Sequence, residues 1–365
     1  NDDAVVEPPA VVTPDSINLS FLGRYSAGIF AESAAEIPAF DPVNMRIFIV
    51  NAQKGAVDVL DASDPANPTL IETLTATGIA ADAVVNSIAY KGGYRAVAID
   101  VRGYGSSECP SEVDAYRLVN LVGDCVGVVE ALGGAGAVIV GHDWGSPIAS
   151  TAALLRPEVF RAVALLSVAY TPPNEFRPTD VFRMMGGDDT FYIEYFQEPG
   201  VAEAEIGTDP ARWLEGMIFS ASGDAPPPLP GEPTGFSVAD GGRLDDRFRY
   251  PTGPLAWQGA DDLAFYVGEF ARAGFSGGLN RYRCVDHDWV DLRAWREAPI
   301  HQPSLYIGGE KDGPTIWGAG SIARYPETLP GLHDSVVLPG VGHWMQQEDA
   351  AGVNALLLDF LEACS

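Results

Sequence analysis

Residues 137–156, AVIVGHDWGSPIASTAALLR, decide the fold that the chain is expected to adopt. The stretch begins with a run of four apolar residues, Ala137–Val140, which is typical of a short buried strand. A helical segment follows from Ser146 to about Leu155 and is closed by Arg156-Pro157, because the residue before a proline disfavours the helical conformation. The glycines that flank the intervening His-Asp-Trp permit a tight turn. The sequence therefore predicts a strand, a sharp turn and a helix in direct succession.

The segments on either side of this stretch alternate between strands and helices. Tyr94–Ile99 and Arg161–Val168 are apolar runs of the buried-strand type, and residues 114–132 place apolar side chains at the spacing of an amphipathic helix. This alternation over residues 92–170 predicts a parallel sheet with helices on both faces.

The alternation stops at residues 171–298, which are rich in proline, glycine and aromatic residues, and it resumes after them. Ser304–Ile307 and Ser335–Leu338 are predicted strands, and residues 349–363 are a closing amphipathic helix. We therefore expect residues 299–365 to complete the α/β core begun before the interruption. The inserted segment is expected to be a mainly helical lid over an active site.

Asp143 is the candidate nucleophile, because it stands at the centre of Gly141-His-Asp-Trp-Gly145, between the predicted strand and the predicted helix. A glycine-x-nucleophile-x-glycine turn in that context is the nucleophile elbow of α/β-hydrolases. The nearby helix N-terminus favours an anion there. An aspartate in this place predicts a covalent alkyl ester in place of an acyl serine. The alternative is a chance turn of five residues.

His343 and Asp312 are the candidate partners of this nucleophile. His343, in Gly-His-Trp after the last predicted strand, is placed to act as general base for water, and Asp312, in Glu-Lys-Asp after the strand SLYIGG, is placed to orient it. The order nucleophile, acid, histidine is the order found in α/β-hydrolases. Each residue alone reads equally well as a loop or surface residue; the three together favour a triad.

Residues 93–365 resemble a soluble epoxide hydrolase, and the matching strings are GYRAVAIDVRGYGSS, GHDWGSPIA, FYIEYFQEPGVAEAE, GFSGGLNRYR, GEKD and GHWMQQED. The resemblance implies the α/β-hydrolase fold and the conversion of epoxides to vicinal diols. It also implies that two lid tyrosines, Tyr192 and Tyr282, hold the epoxide oxygen and protonate it. The alternative is that both tyrosines only pack in the core of the lid.

The chemistry implied by the resemblance needs only an epoxide and water. Asp143 would open the ring, and water activated by His343 would hydrolyse the resulting ester. Trp144 is expected in the pocket wall, with its backbone N–H as an oxyanion donor. No metal, nucleotide, flavin or other cofactor is implied, and we find no glycine-rich phosphate loop.

The N-terminal part departs from the family. No His-Gly-x-Pro oxyanion loop is found, and its expected place holds Thr75–Ile79. Residues 19–90 instead resemble the bacterial surface proteins called choice-of-anchor I, which look like β-propellers, over the length of about one blade. The β-rich segment 17–91 either replaces the missing edge of the hydrolase sheet or packs outside that sheet. Because an exposed sheet edge needs covering, we favour the interpretation that it completes the sheet. Gly78 and Ile79 would then supply the second oxyanion N–H.

Composition and charge bear on the partners, the cysteine chemistry and the compartment of the protein. The 50 acidic residues outnumber the 22 basic ones, and the net charge of -28 would repel nucleic acid and anionic membranes. No apolar run is long enough to span a membrane. The four cysteines form no C-x-x-C pair, although a disulfide stays open. Residues 1–16 are a predicted flexible tail. The compartment stays open between cytoplasm and export, and the assembly between monomer and homodimer.

Two other functions compete with the epoxide hydrolase. A haloalkane dehalogenase uses the same His-Asp-Trp-Gly elbow but has no need of paired lid tyrosines, so Tyr192 and Tyr282 favour epoxide opening. A non-catalytic binding or surface protein would explain the propeller-like segment and the missing loop. Halide release identifies the first alternative, and a covalent alkyl intermediate on Asp143 would argue against the second.

Overall fold

The computed structural model describes residues 38–41, 45–51, 56–75, 84–91, 94–134, 136–227 and 236–364. The strands are β1 (Pro38–Asp41), β2 (Arg46–Asn51), β3 (Ala56–Asp61), β4 (Thr69–Thr75), β5 (Val84–Lys91), β6 (Tyr94–Asp100), β7 (Ala137–His142), β8 (Phe160–Leu166), β9 (Thr190–Phe191), β10 (Ser237–Val238), β11 (Ser304–Gly309) and β12 (Leu332–Leu338). Residues 1–16, predicted to be a flexible tail, lie outside the described residues.

The helices fall into a core set and an inserted set. The core helices are α1 (Leu118–Ala131), α2 (Gly145–Leu155), α10 (Gly313–Trp317), α11 (Ala319–Ala323), α12 (Tyr325–Thr328), α13 (Met345–Glu348) and α14 (Ala350–Ala363). Those of the inserted segment are α3 (Pro178–Gly186), α4 (Tyr192–Tyr195), α5 (Val201–Ile206), α6 (Pro210–Ala221), α7 (Ala260–Ala273), α8 (Ser276–Arg283) and α9 (Val285–Asp291). Three short 3-10 turns are Val113–Tyr116, Leu244–Arg247 and Leu292–Trp295.

The centre of the molecule is a parallel sheet of four strands in the order β12-β11-β8-β7. Its strand β8 is buried on both faces. Val163 and Leu165 pack into one apolar cluster, and Ala164 and Leu166 pack into another on the opposite face. Strands covered on both sides carry continuous apolar runs, which is why RAVALL could be recognised as a strand from the sequence. The α/β-hydrolase fold and its parallel sheet are confirmed.

The inserted segment predicted to be the lid, described over residues 171–227 and 236–298, has a core made largely of aromatic rings. Trp213 and Phe248 meet edge to face at 5.3 Å between ring centroids, and Phe196 meets Tyr282 at 5.0 Å. Edge-to-face pairs of this kind contribute about 0.5–1.5 kcal/mol beyond the area that they bury. The inserted segment is mainly helical, as the sequence predicts.

A buried ion pair attaches the lid to the core. The guanidinium of Arg281 on α8 contacts the carboxylate of Asp288 and donates to the carbonyl of Tyr116. Asp288 also accepts a 2.7 Å hydrogen bond from the backbone N–H of Leu118, at the first turn of α1. Since a buried charge is tolerated only when it is paired and hydrogen-bonded, this network fixes α8 and α9 against the start of α1.

The N-terminal strands form a separate sheet, which differs from the expectation that residues 17–91 complete the hydrolase sheet. β1–β4 are an antiparallel meander, and in the part of the chain that the structure describes none of them pairs with the parallel strands. The physical reason is the length of the connections between consecutive strands. Short connections let neighbouring strands pair antiparallel, whereas a parallel strand needs a crossover of about a dozen residues. Val57 and Val59 are buried on the face that packs against Val97.

Strand β6 is also placed differently from its prediction as a buried strand of the parallel sheet. It pairs antiparallel with β5 in a two-stranded sheet. Ala96 and Ala98 are exposed, while Val97 packs against the meander and Ile99 against Val128 of α1. One covered face and one solvated face are typical of antiparallel pairs, and small alanines on the open face kept the run apolar enough to resemble a buried strand.

Two further observations concern cysteines and membranes. The thiols are free at Cys109, Cys125, Cys284 and Cys364. Over the described ranges, no helix combines the length and the apolar character that crossing a bilayer requires.

Candidate active site

Asp143 occupies a sharp turn between β7 and α2. Its φ of +50° lies in the left-handed region, which is uncommon for a residue with a side chain. The turn is held by hydrogen bonds from Asp143 N–H to the carbonyl of Leu166 (3.3 Å) and from Ser146 N–H to the carbonyl of Asp143 (3.0 Å). A Cβ on Gly141 would lie 1.9 Å from the carbonyl oxygen of Gly145, so only glycine fits there. The geometry is that of the predicted elbow.

His343 lies between two carboxylates. Its Nε2 is 3.7 Å from Oδ1 of Asp143, and its Nδ1 is 2.8 Å from Oδ1 of Asp312. The Asp312 side chain is fully buried, whereas that of Asp143 is 34% exposed. The three residues therefore have different roles available to them. The Asp143 carboxylate is partly exposed, the Asp312 carboxylate is buried on the Nδ1 side of the imidazole, and the imidazole can transfer a proton at Nε2.

Asp312 is held as an anion at the end of β11. Its Oδ2 accepts hydrogen bonds from Ser167 Oγ (2.7 Å), Thr315 Oγ1 (2.8 Å) and Thr315 N–H (3.2 Å), the last as the N-cap of α10. Burial raises the pKa of Asp312, but the hydrogen bond with His343, the charge of that ring and these donors outweigh it. The pKa of Asp312 is therefore below its ordinary value.

The pKa of His343 is shifted the other way. Burial lowers the pKa of His343. The hydrogen bond to Asp312 and the negative charges of Asp143, Asp312 and Glu348 raise it by more than burial lowers it. The net result is a pKa above the ordinary histidine value, so this ring accepts a proton more readily than a free imidazole would.

Glu348 fixes the loop that carries His343. The string GHWMQQED contains this residue but does not by itself indicate that role. The carboxylate of Glu348 accepts hydrogen bonds from the backbone N–H groups of Gly342 (2.8 Å), Trp344 (3.0 Å) and Gly223 (2.8 Å). The last of these belongs to the lid, just after α6. His343 N–H also donates to the carbonyl of Ala221 (2.9 Å), so the end of α6 and the His343 loop are held as one unit.

Tyr192 and Tyr282 lie side by side in the lid. Tyr192 begins α4, Tyr282 lies near the end of α8, and their ring centroids are 5.9 Å apart. Burial, followed by the charge of Asp143, raises the pKa of the Tyr192 phenol. Burial, the neighbouring Tyr192 and the charge of Asp143 likewise raise the pKa of Tyr282 well above its ordinary value. Both phenols therefore stay protonated and can donate, and both sense the Asp143 carboxylate.

Trp144 lines the same space. Its ring meets Tyr282 edge to face at 5.1 Å, and the Arg281 guanidinium lies over the Trp144 ring, 4.8 Å from its centroid. As the N-cap of α2, its backbone N–H belongs to the turn whose amides lack intrahelical partners, which suits an oxyanion. Gly78 and Ile79, the predicted second oxyanion donors, lie outside the described residues.

Sequence reasoning missed three further residues around the proposed triad. Ser167, directly after β8, contacts both Asp312 and His343. The rings of His142 and His343 are tilted by 50° with their centroids 4.7 Å apart, and His142 donates from Nε2 to the carbonyl of His343 (2.7 Å). Burial, followed by the negative charge of Asp143, raises the pKa of the Tyr104 phenol to about 12. For His142 and Ser167 the sequence signal was their position at the ends of predicted strands of the parallel sheet, because side chains at the carboxyl ends of parallel strands converge at one edge.

Comparison with known proteins adds a family to this geometry. A family model described as the alpha/beta hydrolase fold matches residues 78–350. Epoxide hydrolase B of Mycobacterium tuberculosis is 39% identical over 298 residues, and the match spans 74% of this chain and 84% of that protein. Epoxide hydrolase A of the same organism is 40% identical over 275 residues and is matched over 82% of its length.

Solved structures give the same result. An epoxide hydrolase from an endophytic Streptomyces is 55% identical and superposes with a TM-score of 0.71 over 74% of this chain and 81% of that one. Epoxide hydrolase A from Mycobacterium thermoresistibile is 38% identical with a TM-score of 0.67, over 74% and 82% of the two chains.

Proposed function

The chain belongs to the α/β-hydrolase fold family and, within it, to the epoxide hydrolases, and from this premise we propose that it converts epoxides to vicinal diols through an ester on Asp143. The observation that carries the proposal is the position of the Asp143 carboxylate. It faces His343 Nε2 at 3.7 Å, and the phenols of Tyr192 and Tyr282 sense its charge from the lid. The arrangement thus supplies a nucleophile, a base beside it and two protonated phenols affected by the same carboxylate.

In the first step, an oxygen of Asp143 attacks the less hindered epoxide carbon. A carbon–oxygen bond forms to the carboxylate while the ring carbon–oxygen bond breaks. The leaving oxygen takes a proton from the phenol pair of Tyr192 and Tyr282, which a dry pocket keeps protonated. The product of the step is a hydroxyalkyl ester of Asp143 and one tyrosinate.

In the second step, His343 removes a proton from water, and the resulting hydroxide attacks the ester carbonyl of Asp143. The backbone N–H of Trp144 stabilises the oxyanion. Cleavage of the acyl carbon–oxygen bond releases the diol, and the two protons of the water restore the second hydroxyl and the tyrosine. Asp312, sealed behind the ring, stabilises the imidazolium that forms. Asp143 ends with one oxygen from water.

We further propose a division of labour along the chain. Residues 92–170 and 299–365 are the catalytic core, and residues 171–298 are the lid. The described N-terminal strands form sheets separate from the parallel one, and we propose that residues 19–90 share their origin with the choice-of-anchor I proteins. The four-stranded antiparallel order β1-β2-β3-β4 supports this origin, because a propeller blade is a sheet of four such strands.

The test is a single turnover of styrene oxide in ¹⁸O-labelled water, with diol followed by chromatography and the Asp143 peptide followed by mass spectrometry. We expect diol, and an Asp143 peptide that carries one ¹⁸O. In the variant His343→Ala the first step is intact, so the peptide should instead gain the mass of one substrate molecule.

Two results would contradict the proposal. Diol that forms without label in Asp143 would mean direct attack by water. Halide from a bromoalkane, with no diol from any epoxide tried, would assign the pocket to a dehalogenase.

A further inference from the structure

Ser167 stands at the end of β8 in a backbone conformation that serine rarely adopts. Its φ is +71°, and the residue is fully buried. Its N–H donates to the carbonyl of Ile307 (2.9 Å), and its own carbonyl accepts from the hydroxyl of Tyr306 (2.8 Å). Non-glycine residues in this region are concentrated at functional sites, where the surrounding structure holds the strain in place. If only the backbone mattered here, glycine would serve better than serine.

The hydroxyl of Ser167 contacts both His343, the proposed general base, and Asp312, which orients it. Its Oγ lies 2.7 Å from Oδ2 of Asp312 and 3.1 Å from Nδ1 of His343. An ionised carboxylate can only accept, so the hydroxyl proton is donated to Asp312. That leaves the lone pairs of Oγ facing Nδ1, where they can only accept a proton from the ring.

We propose that Ser167 is a positioning residue for the general base, acting through Asp312 and His343. With Asp312 Oδ1 and Ser167 Oγ both accepting, the ring proton is held on Nδ1. The lone pair of Nε2 is then the one that faces Asp143 and the attacking water. Ser167 also holds the second oxygen of Asp312, which fixes the carboxylate plane against the imidazole.

This inference rests on the two-step reaction proposed above, and it makes the two steps differ in their response. Ring opening uses Asp143 and the lid tyrosines, none of which contacts Ser167. Ester hydrolysis uses His343, which does. Loss of the hydroxyl should therefore slow hydrolysis about ten- to a hundredfold, the range expected for a hydrogen bond to a charged group, and leave ring opening unchanged.

The experiment compares Ser167→Gly with Ser167→Ala by rapid quench, using styrene oxide. Glycine removes both the hydroxyl and the backbone strain, and alanine removes only the hydroxyl. We expect slow hydrolysis in both variants, accumulation of the alkyl-enzyme, and kcat and KM that fall together so that kcat/KM is unchanged. Ser304→Ala is the matched control, because Ser304 is equally buried but begins β11 at the opposite end of the sheet. It should turn over like the wild type.

Other outcomes would overturn the inference. Wild-type hydrolysis in Ser167→Gly would mean that only the backbone of Ser167 matters. A fall in kcat/KM in both variants, with unchanged ester hydrolysis, would mean a general disturbance of the pocket. If the wild-type protein itself forms no alkyl-enzyme and no diol, the proposed function fails before Ser167 is tested, so the two failures are distinguishable.

Discussion

The carboxyl edge of the parallel sheet and the N-terminal meander β1–β4 use β-strands for different purposes. In the parallel sheet the turn after β7 holds Asp143, the turn after β8 holds Ser167 and the turn after β11 holds Asp312, so neighbouring strand ends bring distant residues together. Among the described residues the strands of the meander pair with one another, and its side chains at Leu70 and Ile71 are about half exposed. The strand ends of the parallel sheet bring the reactive groups together, whereas none of those groups lies on strands β1–β4. Substitutions in the first should change chemistry, and those in the second should change stability alone.

The largest expected effect is the loss of the nucleophile. Asp143→Asn keeps the shape of the side chain and tolerates the positive φ of the turn, but a neutral amide does not attack an epoxide. We expect diol formation to fall about 10⁴-fold or more. Asp240→Asn, at an exposed lid position, is the control. Residual alkyl-enzyme in the Asp143→Asn protein would place the nucleophile elsewhere.

The lid side of the pocket should give the next largest effect. Tyr192→Phe and Tyr282→Phe each remove one phenol from the leaving oxygen, and loss of general acid assistance costs about 10²–10⁴-fold for the pair. The defect should lie in ring opening, measured by the rate of alkyl-enzyme formation. Because the pKa of both phenols is raised, wild-type ring opening should not weaken as pH increases to about 9. Normal ring opening in the double variant would reduce both tyrosines to packing residues.

The third prediction concerns pH. His343 accepts a proton only when it is neutral, and the pKa of His343 in the free enzyme lies above the ordinary value of 6.5. In the alkyl-enzyme Asp143 is an uncharged ester, so Asp312 and Glu348 remain to raise that pKa, and ester hydrolysis should fall as pH decreases through it. Asp312→Asn removes the hydrogen-bonded charge that raises it. The acid limb should then move to lower pH while the maximal rate falls about 10²-fold or more, because the imidazolium loses its counter-charge. A pH–rate profile of single-turnover hydrolysis measures both. An unmoved acid limb would contradict the pairing.

The fourth prediction concerns the stability that the buried ion pair between Arg281 and Asp288 contributes. Arg281→Met leaves Asp288 buried without its partner, which costs about 3–5 kcal/mol of stability. Arg183→Met breaks an ion pair whose arginine side chain is 63% exposed, and exposed pairs contribute about 0–1 kcal/mol. Urea unfolding of the two variants gives the difference. Equal losses would show that burial at Arg281 is not what matters.

The smallest effect on activity is expected in the meander. Val57→Ala and Val163→Ala make the same change at two fully buried positions, one in β3 and one in β8. Each should lose about 1–3 kcal/mol locally. Only Val163→Ala should lower the temperature at which epoxide turnover is lost, while kcat at 25 °C stays unchanged for Val57→Ala. A lower kcat in Val57→Ala would mean that the meander supports the site after all.

The core elements were predictable where burial leaves a local trace. β7, β8, β11 and α2 begin and end close to their predicted limits, because buried parallel strands read as apolar runs and proline closes α2. Strand β6 was misassigned to the parallel sheet. Its apolar run has the same composition whether it faces a helix layer or pairs with β5, so only the partner decides.

For the site, the sequence by itself determined which groups could react: an aspartate in an elbow, a histidine after the last strand, an acid between them and, through family resemblance, two lid tyrosines. These follow from short local patterns. Only the three-dimensional structure shows that Asp143 and Asp312 contact different nitrogens of His343, that Ser167 contacts that ring and Glu348 its loop, and that the described strands β1–β4 form a sheet of their own. Those facts depend on contacts between residues far apart in the chain, and distance along a chain leaves no mark in the composition of either segment.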